Sequence, residues 1–132
     1  MSATNIERKI NYSMAGPDND TLFDPIKVEA VPSYALQFFI TGLVASSAYP
    51  TGRIVLKVSN NGIDFVELPA GQVLLGRYET ALDESGTYTR YIFVGLNEGV
   101  GTVQWITAAF KKGNITEGII SKVIMEGELG NS

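Results

Sequence analysis

The residues most able to bind a cation lie in the segment GPDNDTLFD, residues 16–24. Asp18, Asp20 and Asp24, together with Asn19, supply the carboxylate and amide oxygens that calcium prefers. The segment lacks the glycine and the final bidentate glutamate of an EF-hand loop, and acidic residues beside proline and asparagine are also common turn formers. The three aspartates are therefore candidate calcium ligands, with a solvated turn as the alternative interpretation.

Two residue types that are often used in catalysis are missing from the chain. It contains no cysteine and no histidine, which excludes thiol nucleophiles, Ser–His–Asp triads and the commonest zinc and copper ligands. Asp83 and Glu84 stand in a polar turn without a partner carboxylate at the spacing that glycosidases use. Gly99 and Gly101 precede a strand pattern, not the Lys-Ser/Thr and helix of a phosphate loop. We predict a protein without catalytic residues and without a cofactor.

Composition and charge narrow the classes of partner. The chain has 132 residues, a net charge of −4 and no basic stretch, so a nucleic-acid partner is not expected. The apolar stretch of residues 34–49 contains Gln37 and Thr41 and is too short and too polar to span a bilayer. The polar N-terminus lacks the apolar core of a signal peptide, which predicts folding in a cytoplasm and no membrane partner.

Alternation of apolar and polar residues dominates the chain, and no segment has a helical period. We expect eight to nine strands separated by glycine- and proline-rich turns, which predicts an all-β, antiparallel β-sandwich. Strand count does not distinguish a jelly-roll from an immunoglobulin-like order. Residues 1–13 form either an N-terminal arm or a first strand, and residues 20–132 form a single β-sandwich domain.

Several strands can be placed from their patterns. Asn60-Asn61-Gly62 predicts a hairpin turn between strands at 53–59 and 63–69, since asparagine and glycine tolerate positive φ. Residues 71–80 predict another strand, followed by a polar turn that begins at Ala81. The last strand, 115–129, is expected to be bent or bulged near Gly118.

Aromatic side chains supply the remaining candidate site. Tyr49 and Tyr78 lie near predicted loops, where their rings could stack on a sugar, and Asn60 and Asn61 occupy the hairpin tip. These four residues are the candidate interaction residues. Trp105 lies among apolar neighbours in a strand, and we expect it in the core. Phe39 lies opposite the apolar face of its strand, which indicates a strand covered on both sides.

The stretch TGRIVLKVSNNGIDFVEL, residues 51–68, resembles a segment that recurs in β-sandwich virion proteins of tailed bacteriophages. In these proteins a strand ends in Ser-Asn-(Asp/Asn)-Gly and an aromatic residue follows, positions that correspond here to residues 59–62 and Phe65. The strands YALQF, TRYIFV and GTVQW extend a looser likeness over residues 20–110. Similar hairpins also occur in discoidin-like and other carbohydrate-binding sandwiches.

The resemblance implies a structural protein of a phage particle: a capsid decoration or auxiliary protein, a head-fibre base or a tail component. It implies assembly in the host cytoplasm, other virion proteins of the capsid or tail as partners, and a homo-oligomer that docks in many copies. No catalytic residues are carried over. The alternative function is a carbohydrate-binding or adhesion module with a glycan as its ligand.

Overall fold

The computed structural model describes residues 3–16, 20–27, 33–67, 79–95 and 104–128. Within these ranges the chain forms ten strand segments and no helix. Every pairing between them is antiparallel. The segments are β1 (Ala3–Ser13), β2 (Asp20–Thr21), β3 (Ile26–Lys27), β4 (Ser33–Ala45), β5 (Gly52–Ser59), β6 (Val66–Glu67), β7 (Glu79–Leu82), β8 (Gly86–Gly95), β9 (Trp105–Lys111) and β10 (Ile115–Glu128).

The strand order identifies the sandwich as a jelly roll. The first sheet has the order β1-β10-β4-β8, and in the second sheet β9 and β5 form the centre. Strands β2 and β3 share one edge of the second sheet and β6 and β7 share the other, so ten segments fill eight positions. The first strand pairs with the last, whereas an immunoglobulin order pairs the first strand with the second. The predicted antiparallel β-sandwich is confirmed.

The core lies between the inner faces of the two sheets. Leu36, Phe38 and Ile40 of β4 are buried, as their alternation predicts. They belong to the same cluster as Ile54 and Leu56 of β5. Because alternate residues of a strand point to opposite faces, these assignments also fix which side chains point away from the core.

Residues 1–13 were predicted to form either an N-terminal arm or a first strand. In the structure Ala3–Ser13 forms a strand, β1. It pairs along β10 from Ala3↔Glu128 to Ser13↔Ile119. Ile6, Ile10 and Tyr12 pack against the core, and the Tyr12 ring centroid lies 5.4 Å from that of Phe110. This segment therefore covers part of the hydrophobic core.

The predicted hairpin is present, with a longer turn than its sequence suggests. Lys57 pairs with Glu67 and Val58 with Val66, so β5 and β6 are the two arms. The turn does not close on Asn61-Gly62 alone, because side-chain hydrogen bonds extend it to Asp64.

The boundaries of the next strand differ from the prediction. Residues 71–78, the larger part of the predicted strand, lie outside the described ranges. Ala81 and Leu82, assigned to a turn by their sequence, belong to β7 and pair with Arg53 and Gly52. Leu82 is fully buried, so its packing extends the strand to the start of the polar segment 83–85.

Two of the three register shifts between β10 and β4 affect the direction of this strand's side chains. Gly118 has φ +129° and lies where the pairing with β4 shifts register, so the irregularity that the sequence predicts near this residue is present. A second shift follows: Ile120 and Lys122 pair with the consecutive residues Ile40 and Phe39, so Ser121 is an extra residue, a β-bulge. The bulge allows Ile120 and Val123 both to be buried while Lys122 points outward.

A charged cluster holds the turn between β7 and β8. Nη2 of Arg90 donates to Oδ1 of Asp83 at 2.8 Å and to Oε2 of Glu84 at 2.6 Å, while Nε donates to the carbonyl of Ala81. The guanidinium carbon lies 4.3 Å from the ring centroid of Tyr88, whose hydroxyl donates to the Glu84 carbonyl. The hydrogen bond from Arg90 lowers the pKa of Asp83 below its ordinary value.

Gly118→Ala should destabilise the protein more than Gly86→Ala. Both glycines have strongly positive φ, +129° and +106°, and the strain in an alanine there costs about 1–3 kcal/mol. Only at Gly118 would the added Cβ meet other atoms, at 2.6 Å from Cε of Met14 and 2.9 Å from Cα of Leu43. We expect Gly118→Ala to lose a further ~1–3 kcal/mol of unfolding free energy in urea titrations. Equal losses in both variants would contradict this crowding.

Arg90→Gln should weaken the dependence of stability on acid pH. The pKa of Asp83 is lower in the folded protein, so its pairing with Arg90 stabilises the fold above the unfolded-state pKa and is lost as pH falls through the folded-state pKa. We expect a shallower rise in unfolding free energy between about pH 3 and pH 5 in the variant, by less than about 1 kcal/mol because Asp83 is exposed. Asp83→Asn should flatten the same range, and an unchanged slope in both variants would disprove the pairing.

Candidate interaction surface

The predicted interaction residues lie at opposite ends of the sandwich. Tyr49 precedes β5, and Asn60 and Asn61 follow it. Eight extended residues span about 25 Å, so these side chains do not form one site. Tyr78 lies outside the described residues.

The structure describes two of the three candidate calcium ligands. Asp18 lies outside the described residues, Asp20 belongs to β2, and Asp24 is exposed in the short loop before β3. Within the described part of the chain no group of three or more acidic side chains is arranged to hold a metal ion. The calcium hypothesis for the full triplet stays a prediction.

At the hairpin tip the Asn61 amide is used by the turn itself. The buried Ser59 hydroxyl accepts hydrogen bonds from the backbone N–H of Asn61 and Gly62. Oδ1 of Asn61 accepts from the N–H of Ile63 and Asp64, and its Nδ2 donates to Asp64. The neighbouring Asn60 is exposed and takes no part in these hydrogen bonds of the turn.

Trp105 is not a core residue, contrary to the prediction. The next residue, Ile106, points into the core, so alternation along β9 places the indole on the outer side of the second sheet. There it is partly buried against Gly62, whose hypothetical Cβ would lie 3.2 Å from Nε1, and under Nζ of Lys27 at 5.8 Å. An apolar sequence context did not distinguish the two faces of this strand.

Tyr49 is displayed on a loop with well-defined hydrogen bonds. Its side chain is 82% exposed, while its backbone is fixed by Ser47 and by Asn114. Oδ1 of Asn114 also accepts from the N–H of Thr51 at 2.8 Å. Because the backbone of this loop is already fixed, little backbone entropy would be lost when the exposed ring binds, so Tyr49 can act as an aromatic anchor.

A pair of exposed aromatic side chains on the first sheet was not among the predicted sites. Tyr91 and Phe93 of β8 are 42% and 53% exposed, and their rings stack with centroids 5.4 Å apart and planes 11° apart. Ile92 between them is fully buried, so both rings stand on the side of the sheet away from the core. Alternation along β8 is sufficient to put both rings on the same side of the strand, but it does not indicate that this side is exposed.

Residues of the neighbouring strands continue this surface, which we call the outer face. On β4, Ala35 pairs with Phe93 and Gln37 pairs with Tyr91, and on β10 Ile124 pairs with Gln37. Ala35, Gln37 and Ile124 are partly buried. Phe39 has the same orientation and is only partly buried, so the prediction that β4 is covered on both sides is wrong for this side of the strand. The outer face comprises Asn5, Glu7 and Lys9 of β1, Lys122, Ile124 and Glu126 of β10, Ala35, Gln37 and Phe39 of β4, and Thr89, Tyr91 and Phe93 of β8.

The outer face is apolar on one side and charged on the other. Its β4–β8 side carries the aromatic rings and no charged side chain, whereas its β1–β10 side carries two lysines and two glutamates. Nζ of Lys122 lies 4.7 Å from the Phe39 ring centroid and 3.7 Å from Oε1 of Glu7. Oε2 of Glu126 accepts a hydrogen bond from Asn5 at 3.4 Å. Such a surface suits binding by shape, apolar contact and charge.

Comparison with known proteins shows a similar fold in viral capsid proteins. The VP2 subviral particle of infectious bursal disease virus aligns with TM-score 0.54 and 11% identity over 98% of this chain, and the same virus of the Gx strain with TM-score 0.53 and 12% identity over 100%. This chain spans 33% and 34% of those proteins, about one third of their length.

A carbohydrate-binding module of Cellvibrio mixtus lichenase 5A, solved with cellotriose, aligns over 92% of this chain and 73% of its own, with 12% identity and TM-score 0.43. No protein-family model matches the chain, and no curated protein matches its sequence. At these identities the likeness to solved structures establishes the fold: this chain is a β-sandwich of the kind found in a viral capsid protein.

Proposed function

We propose that the chain is a non-enzymatic structural protein of a virus particle, and specifically a capsid decoration, auxiliary or head–tail accessory protein of a tailed bacteriophage. It would reside in the virion after assembly in the host cytoplasm, with other capsid or tail proteins as partners. The sequence resemblance of residues 51–68 supports the phage assignment. The likeness in fold to VP2 supports only the broader part of the proposal, a structural protein of a virus particle.

The observation that carries the proposal is the exposed aromatic outer face. Monomeric proteins seldom leave contiguous aromatic groups in solvent, and larger patches of this kind mark interaction sites. Tyr91 and Phe93 stand on a strand whose other side forms the core, so the rings are presented on a rigid support. Rigid presentation reduces the entropy lost on docking, and many copies on one lattice multiply a modest affinity.

The test is the composition of purified particles. We expect mass spectrometry of virus particles isolated from the source of the gene to find this chain at a copy number comparable to other coat components. Immunogold labelling with antibodies against the chain should decorate the particle surface. A chain that is abundant in the infected-cell lysate but absent from gradient-purified particles would refute the proposal.

Glycan binding is a second candidate function, favoured by the same exposed rings. The apolar faces of pyranose rings pack on aromatic side chains, and Tyr91 with Phe93 offers two nearly parallel rings on one surface. Tyr49 offers a third ring at another position, 82% exposed.

Calorimetric titration with cello-oligosaccharides and a glycan array would test this candidate. If it is correct, Tyr91→Ala should lower the affinity at least about tenfold, while Asn60→Ala, an exposed substitution on the other sheet, should leave it unchanged. An absence of binding at millimolar oligosaccharide, or equal losses in both variants, would remove this alternative.

A further inference from the structure

We infer that the outer face of the first sheet is self-complementary and docks a second copy of this chain about a two-fold axis. The inference rests on the proposed function in taking this face as an assembly surface, and it adds the identity of the partner and the geometry of the contact. It is carried by the positions of charged, small and large side chains that the strand pairing fixes.

The pairing registers divide the outer face into three rows that run across the four strands. Neighbours within a row are directly paired residues, so each row is defined by backbone geometry. The middle row is Glu7, Ile124, Gln37 and Tyr91; on one side of it lie Asn5, Glu126, Ala35 and Phe93, and on the other side Lys9, Lys122, Phe39 and Thr89.

A two-fold axis along the middle row brings opposite charges together. Rotation about this axis exchanges the two flanking rows, so Glu126 of one copy faces Lys122 of the other, and this contact occurs twice. The Asn5 position likewise faces Lys9. Both partners of the main pair belong to β10, next to the centre of the sheet, where the crossing angle of about 30° between packed sheets displaces them least.

The same rotation matches large apolar side chains with small ones. Ala35 of one copy faces Phe39 of the other, while Ile124 and Tyr91 each face their own counterpart. A small residue opposite a large one lets two surfaces approach closely and fill the space between them. Glu7 meets its own counterpart, but on the edge strand, where it is exposed to solvent and Lys122 lies 3.7 Å away.

The other in-plane axis, parallel to the strands, gives a poor match. It would place β1 of one copy over β8 of the other, so that Glu7 would lie against Tyr91 and Lys9 against Thr89. Burying charged side chains against aromatic rings without counter-charges is costly. The arrangement of side chains therefore selects one axis.

The size of the face sets the expected strength of the dimer. Four strands at about 4.8 Å spacing and three rows about 6.8 Å apart give a footprint near 20 by 20 Å. Such a footprint buries less than the ~800 Å² per partner of a standard stable interface. We therefore expect a reversible dimer in the micromolar range, which a particle lattice could reinforce.

Sedimentation equilibrium of the purified chain over a wide concentration range is the first experiment. We expect a monomer–dimer equilibrium, a dissociation constant at least about tenfold higher for Lys122→Glu, and a return to within about threefold of wild type in Lys122→Glu/Glu126→Lys. The double variant restores the opposite charges only if these two residues face each other across the two-fold axis. Failure of this rescue would overturn the inferred geometry.

An aromatic substitution and its matched control test the apolar part. Phe93→Ser should abolish dimerisation, and Tyr49→Ser, an equally drastic change at an exposed ring on a loop, should not affect it. Circular dichroism would establish that each variant is folded. A wild-type chain that stays monomeric at several hundred micromolar, or a dimer that loses affinity equally in both variants, would refute the inference.

Carbodiimide crosslinking of a mixture of nitrogen-14 and nitrogen-15 protein provides a measurement on the unaltered chain. We expect a mixed-isotope crosslink between the peptides that contain Lys122 and Glu126. Dimers without any such crosslink would contradict the proposed axis. Since these measurements need no virus, a failed dimer with the chain still present in purified particles would refute only this inference, whereas absence from particles would refute only the proposed function.

Discussion

The structure depends on the last strand, β10, which lies between β1 and β4 in the first sheet. Strand β10 pairs with β1 on one side and with β4 on the other, so it joins segments that are distant in the chain. Antiparallel hydrogen bonds satisfy its backbone on both sides, and its inward side chains complete the core. Without this strand the first sheet would fall into separate pieces and β1 would have no partner.

The same strand links stability to the proposed interaction. Its inward residues Ile120, Val123 and Met125 are buried, and its outward residues Lys122 and Glu126 supply the charges of the outer face. The bulge at Ser121 separates these two sets. Any change that removed the bulge would exchange the faces of the residues before it or after it, because the side-chain period of a strand is two.

The two ends of the sandwich and the outer face have different physical characters. At one end Asn114 fixes the loop that presents Tyr49, and Arg90 fixes the turn between β7 and β8. At the other end Asn61 spends its hydrogen-bonding groups on its own turn. The outer face presents two exposed aromatic side chains beside partly buried apolar ones on a strand backbone, which is why the functional proposal rests there and not on the loops.

Local sequence patterns predicted much of the fold. Alternation in β4 identified Leu36, Phe38 and Ile40 as core, and Asn60-Asn61-Gly62 located a hairpin, because both signals arise from the geometry of neighbouring residues. The lack of cysteine and histidine also narrowed the possible chemistry, since it follows from composition and not from folding. The sequence left the order of strands open, because pairing between β1 and β10 depends on contacts across the whole chain.

The interaction surface needed the tertiary structure. Alternation assigned Tyr91 and Phe93 to the same side of β8, but only the sheet order shows that this side is exposed and lies next to Phe39 and Ile124. For Trp105 the apolar sequence context predicted a core position, but the side chain lies on the outer side of the second sheet. The sequence by itself therefore determined the strands, the core side of most of them and the absence of catalytic histidine and cysteine. Tertiary packing decided the jelly-roll order, the bulge in β10 and which face is presented to a partner, because these depend on pairing between distant segments.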